Sequence, residues 1–161
     1  VCLRNPEGIE RPDFRHCPEL PYFAGPHHDL FTAGGSMLLE VPVTILADGV
    51  LPNACPMWPG GKCGGPTWFR PIYSDTQTLA EIIQIVSTQQ PGRPLVMMFH
   101  NIELVANASP YSRSEAEVER FLLLLESTFR AASEAGVTPV TLSEFVEQYR
   151  RSGRAASVGP V

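Results

Sequence analysis

Four histidines, His16, His27, His28 and His100, are the first residues to weigh for chemistry. Imidazole exchanges a proton near neutral pH and also ligates metals. His27 and His28 are adjacent, a spacing that does not easily bring both rings to one metal from a regular element, and they read as loop residues. His100 is different. It directly follows Leu95-Val-Met-Met-Phe99, a continuous apolar run of strand length. In α/β folds the C-terminal ends of strands are where loops gather and sites form. A histidine there suits general acid or base work. The competing reading is a buried histidine satisfied by a backbone carbonyl. Side chains alternate along a strand, so Met98 and His100 are expected to share one direction while Leu95, Met97 and Phe99 face the covering helices.

Other residues carry weaker signals. Glu40 has the opposite parity to its apolar neighbours, which places it toward a barrel interior or makes it an exposed or bulge-associated carboxylate. Trp58, Trp68 and Tyr111 fall in irregular stretches, where aromatic rings stack on sugars or anchor small local cores. Cys2, Cys17, Cys55 and Cys63 form no C-x-x-C pair, so zinc-finger spacing is absent. Cys55 and Cys63 flank a Gly/Pro-rich stretch and are either free thiols or, in an oxidising compartment, a disulfide. Asn107-Ala-Ser109 matches a three-residue glycosylation sequon that is common by chance. Asp48 and Asp75 read as turn and cap residues.

The elements that must position these residues follow from periodicity and punctuation. Residues 1–35 are rich in Pro, Gly and polar residues and read as irregular. From Met37 to Ile45 every second residue is apolar, the period of a strand, with Pro42 marking an edge or a bulge. Residues 47–71 form a second Gly/Pro-rich excursion. Ser74 or Asp75 can cap a helix carrying Leu79, Ile82, Ile83 and Val86, which Pro91-Gly92 stops. After the run 95–99, Ser114 and Glu117 have capping-box spacing, and Val118, Phe121, Leu122, Leu125 and Phe129 form a stripe ending at Gly136. Val137–Val140 reads as a short strand. Thr141 and Glu144 repeat the capping-box spacing before a last helix that turns Phe145, Val146 and Tyr149 inward.

Strand and helix therefore alternate three times, the pattern of an α/β fold with parallel strands. Three strands are few for a sheet that must be covered on both faces. The expected architecture is the truncated C-terminal part of a (β/α) barrel-like domain: residues 1–151 as one partial domain, with 36–151 its alternating region, and 152–161 as a disordered tail.

The segment Pro94-Leu-Val-Met-Met-Phe-His100-Asn-Ile-Glu-Leu104, followed by Ala108-Ser-Pro-Tyr111 and the helix from Ser114, resembles the last motif of the polysaccharide deacetylases. These are the nodulation-type chitooligosaccharide deacetylases and their bacterial relatives, a carbohydrate esterase family. Their Leu-x-His motif is read here as Met98-Phe99-His100, with methionine keeping the volume and polarity of the pocket wall. The closing stretch Gly136–Phe145, the segment Leu39–Thr44 and Trp68-Phe-Arg-Pro71 are also similar to family segments, so the resemblance spans roughly residues 36–150. It implies hydrolysis of N- or O-acetyl groups on a carbohydrate polymer, with His100 as catalytic acid, Met98 lining the acetyl pocket, and Trp68 and Tyr111 contacting the polysaccharide or oligosaccharide. The family binds a divalent metal such as zinc through an aspartate and two histidines in His-x-x-x-His spacing, and no pair of histidines here has that spacing. Arg70-Pro71 is set aside as lacking the spacing and tyrosine of the family's Arg-x-Pro-Tyr motif. The chain alone is thus expected to bind no metal and to be inactive as a fragment, the metal residing in the full-length protein. The alternative is a non-catalytic carbohydrate-binding or structural member of the same fold.

Composition limits the field further. Hydrophobic residues at 43% and charged residues at 18% are ordinary for a globular chain of 161 residues. A net charge of -5 leaves no electrostatic footprint for nucleic acid or an anionic membrane. Arg150, Arg151 and Arg154 read as a solvated tail, and no apolar run reaches the length of a membrane span.

Overall fold

The structure, a computed structural model, describes residues 2–4, 10–12, 18–26, 33–47, 49–51, 66–90 and 92–152. His16, His27, His28, Cys17, Cys55, Cys63, Asp48, Trp58, Pro91 and the tail from 153 onward lie outside the described residues. The chain divides into two compact units, Val1–Pro42 with Val140–Val161, and Val43–Pro139.

In the first unit, the stretch expected to be irregular holds three short strands. Cys2–Arg4 (β1) pairs antiparallel with Glu10–Pro12 (β2). Tyr22–Phe23 (β3) pairs antiparallel with Leu39–Glu40 (β4), which sets Glu40 opposite Tyr22. The strand expected from Met37 to Ile45 is divided at Pro42: β4 lies before it and Ile45–Leu46 (β5) after it. Proline has no N–H for a ladder, which is the physical reason for the break. The last helix, Leu142–Arg151, begins with the expected capping box. Glu144 N–H donates to Thr141 Oγ1 (3.2 Å), and Thr141 N–H donates to Glu144 Oε2 (2.7 Å). The donors from Thr141 hold the Glu144 carboxyl below its ordinary pKa. Phe145, Val146 and Tyr149 are half-buried. The Tyr149 hydroxyl donates to Pro21 O (2.5 Å), and its ring packs on Phe23 and Phe145.

The second unit is built on a small sheet and two helices. β5 pairs antiparallel with Thr67–Trp68 (β6), Ile45 opposite Trp68. Thr44, just before β5 and fully buried, joins three segments. Its carbonyl accepts from Phe69 N–H (2.9 Å), its N–H donates to Val96 O (2.9 Å), and its hydroxyl oxygen accepts from Val96 N–H (2.9 Å). Met98 N–H then donates to Phe69 O (3.2 Å). The run 95–99 is half-buried and bonded at these alternate positions. Its expected parity is seen in the packing: Leu95 and Met97 lie against the core, and the Phe99 ring meets Phe121 edge-on at 5.8 Å.

Thr76–Gln89 (α1) is capped by Asp75, whose Oδ1 accepts from Thr78 N–H (2.7 Å). That bond holds the Asp75 carboxyl below its usual pKa. Leu79, Ile82, Ile83 and Val86 are buried with Leu46, Leu51 and Phe69, and this cluster is the core. Glu115–Glu134 (α2) starts at Ser114, whose hydroxyl accepts from Glu117 N–H (3.3 Å). The box is half made, because the Glu117 carboxylate accepts from Arg113 N–H (2.5 Å) instead. The buried stripe of α2 is Val118, Phe121, Leu125 and Thr128. Leu122 and Phe129, expected in that stripe, are 50% and 58% exposed. The helix is rotated so that Leu124, Ala131, Ala132 and Ala135 reach the core, and Thr128 enters it by donating to Leu124 O (2.7 Å). Gly136, at φ 76°, closes α2: its N–H donates to Ser133 O and Val137 N–H to Ala132 O, the paired bonds of a left-handed C-terminal cap.

Among the described residues the ladders are three two-stranded antiparallel sheets, and neither the run 95–99, expected as a buried strand, nor Val137–Val140 belongs to any of them. No helix among them is long and apolar enough to cross a membrane.

Candidate functional site

The site begins where β6 ends. Trp68 is followed by Phe69, Arg70 and a single 3-10 turn, Pro71–Tyr73, in which Tyr73 N–H donates to Arg70 O (3.2 Å). Proline suits the first position of such a turn because its φ is already set and its missing N–H has no partner to lose. The turn brings the Tyr73 ring against the Arg70 guanidinium, 4.4 Å from carbon to ring centroid, within cation–π reach. Tyr111 completes the layer. Its ring stands edge-on to Tyr73 at 5.7 Å and lies 5.9 Å from the guanidinium, and its hydroxyl accepts from the Tyr73 hydroxyl (2.8 Å).

Arg70 Nη2 donates to Glu103 Oε1 at 2.9 Å. The Glu103 side chain is 0% exposed and that of Arg70 11%. The pair is joined at one atom of each group, while the buried Arg70 Nε and Glu103 Oε2 meet no partner among the described residues. Burying two charges forfeits hydration, and the mutual attraction recovers it only in good geometry. The Tyr73 hydroxyl is pushed up to about 12, first by burial and then by its bond to Tyr111, with the Arg70 charge opposing.

Glu103 is also tied to the histidine segment. His100 stands at the start of the 3-10 turn Asn101–Leu104, and its carbonyl accepts from Glu103 N–H (2.9 Å). The Glu103 carbonyl accepts from the buried Ser112 hydroxyl (2.5 Å). Ser109 Oγ accepts from the N–H groups of Tyr111 (3.3 Å) and Ser112 (3.2 Å), and Asn107 N–H donates to Ser112 O (2.7 Å). These bonds fold 105–112 into a tight loop that delivers Tyr111, with Asn107 at φ 62°, a conformation asparagine tolerates better than most residues. In the sequon, Asn107 is exposed while Ser109 is buried with its hydroxyl engaged.

His100 is exposed at the end of its segment, Met98 and Tyr111 are half-buried, and Trp68 is 43% exposed on β6. Hydrogen bonds connect three of these to the Phe69–Arg70 dipeptide: Met98 directly, His100 through Glu103, and Tyr111 through Tyr73. Sequence reasoning missed Arg70, Tyr73 and Glu103. Arg70-Pro71 does not have the Arg-x-Pro spacing of the family motif, but Tyr73 stands three residues after Arg70 and packs against its guanidinium. Glu103 offered one signal, a lone acid between Ile102 and Leu104. Glu40 and Tyr149 belong to the other unit.

Among the described residues no group of three His, Cys, Asp or Glu side chains can hold an ion. The Glu103 carboxylate, the best-buried acid of the site, is committed to Arg70. Comparison with protein families, with curated proteins and with solved structures finds no match to this chain.

Proposed function

We propose that this chain forms the acid-bearing side of a carbohydrate deacetylase, a hydrolase of acetyl amides or esters on a sugar polymer, within a parallel-stranded α/β barrel-like domain. His100 is the general acid, Met98 lines the pocket for the acetyl methyl, and Trp68 and Tyr111 contact sugar rings. The divalent metal of that chemistry is assigned to a part of the protein outside this chain. The observation that supports the reading is the placement of His100: exposed, at the end of the segment bonded to Thr44 and Phe69. An amine leaves poorly as its anion. As the C–N bond of the tetrahedral intermediate breaks, the electron pair goes to nitrogen and the imidazolium proton goes with it, releasing acetate and a free amine. A positioned acid contributes about 10²–10⁴-fold.

The test is His100→Ala in the protein that joins this chain to its metal-binding part, with acetate release from an acetylated chitooligosaccharide as readout. We expect kcat to fall by about 10²–10⁴-fold with metal content unchanged. Full kcat overturns the acid role, and loss of metal makes His100 a ligand. Sugar binding without acetate release by the unaltered protein supports the non-catalytic carbohydrate-binding reading instead.

A further inference from the structure

Two consecutive residues hold both flanks of the histidine. Phe69 O accepts from Met98 N–H (3.2 Å), two residues before His100, and Arg70 Nη2 donates to Glu103 Oε1 (2.9 Å), three residues after it. Between these anchors the chain makes one tight turn, closed by Glu103 N–H on the His100 carbonyl (2.9 Å). Arg70 is itself held against the Tyr73 ring at 4.4 Å, and Tyr73 is bonded to Tyr111. We infer that Arg70, through Glu103, is the positioning residue that fixes where the His100 imidazole stands.

Net stability is a poor account of the pair. A buried ion pair is often no more stabilising than apolar residues of the same volume, whereas losing one partner is strongly destabilising. What the pair supplies that apolar side chains would not is a directional contact between the segment just after β6 and the turn carrying His100. His100, being exposed, has little packing of its own to define its place. A backbone bond on one side and a charge-assisted side-chain bond on the other supply that definition.

The inference rests on the proposed acid role of His100, and its test separates the two. The decisive variant is the double substitution Arg70→Met with Glu103→Leu, which removes both charges together and avoids leaving one buried and unpaired. Amide hydrogen exchange of the 161-residue chain reads the anchoring directly. Amides of residues 100–104 are expected to exchange at least tenfold faster in the double variant, with those of α1 unchanged. In the protein joined to its metal-binding part, kcat is expected to fall by about 10²-fold with KM and the thermal midpoint unchanged, the effect of misplacing a reacting group by about 1 Å. Arg70→Lys, which keeps a charge but not the planar fork, is expected to recover part of that loss. Unchanged exchange at 100–104 overturns the positioning role whatever the reaction. Faster exchange with unchanged kcat, where His100→Ala does lower kcat, also overturns it. If His100→Ala leaves kcat intact, the acid role fails, and exchange alone decides whether Arg70 anchors the turn.

Discussion

The face of α1 and the cluster around Arg70 are neighbours in one unit, yet they are held together by opposite means. Beneath α1, Leu79, Ile82, Ile83 and Val86 meet Leu46, Leu51 and Phe69 with no side-chain polar atom to satisfy. Burial there is spread over many weak contacts, and each side chain contributes by the area it removes from water. Around Arg70 a few directional contacts replace that area: one ion pair, one ring under a guanidinium, one hydroxyl pair. The apolar region tolerates exchange of shape for shape. The polar region depends on which atom faces which. Phe69 and Arg70, adjacent in sequence, belong one to each regime, so the end of β6 is where stability and site geometry meet.

Breaking the comparison requires a substitution on each side. The largest expected effect is Glu103→Ala, which leaves the Arg70 cation buried beside two rings and should lower unfolding free energy by about 3–5 kcal/mol. Chemical denaturation measures it. The double variant Arg70→Met with Glu103→Leu should return most of that loss in the same experiment. If the double variant is as unstable as the single, the pair is a stabilising element and the contrast with the α1 face fails.

On the apolar side, Leu79→Ala is expected to lose about 2–5 kcal/mol, the spread reflecting how far the cavity collapses. No second substitution at a distance should restore it, since no single partner holds Leu79. Urea denaturation of Leu79→Ala, alone and combined with the double variant, should give additive losses. Strong coupling between them would show that the two regions are one.

The smallest effect comes from pH. Tyr73 is raised from an ordinary value near 10 to about 12, so the folded chain holds this proton more tightly than the unfolded chain. Its stabilising contribution is complete below about pH 10 and is lost as pH rises through about 12. Tyrosinate absorbance should show one late-titrating group that disappears in Tyr73→Phe. Persistence of that group in Tyr73→Phe would remove the hydroxyl pair from the polar side of the comparison.

The helices were legible because their signals are local. Asp75, Ser114 and Thr141 all cap, Gly136 closes α2, and the α1 face is buried as its spacing predicts. Leu122 and Phe129 misled because periodicity defines a stripe but not its rotation, and the alanines on the neighbouring face allow the closer approach. Short strands in residues 2–4, 10–12 and 22–23 were invisible for want of any run long enough to show a period. In the site, alternation along 95–99 foretold that Leu95, Met97 and Phe99 pack inward, and Tyr111 and Trp68 were visible as aromatics, although Trp68 lies on β6 and not in a loop. Arg70 and Glu103 could not be paired from sequence, because 33 residues separate them and nothing local marks a carboxylate that a distant guanidinium will neutralise.

The two anchors on Phe69 and Arg70 also set a count. Five peptide steps lead from Met98 to Glu103, and the two neighbouring residues just after β6 receive the two ends. Most side chains along that span can change without moving either end. A single inserted or deleted residue cannot be absorbed in the same way, because it shifts Glu103 out of register with Arg70 or Met98 out of register with Phe69. Among descendants of this sequence, the interval between those two positions should therefore keep its length more faithfully than its letters.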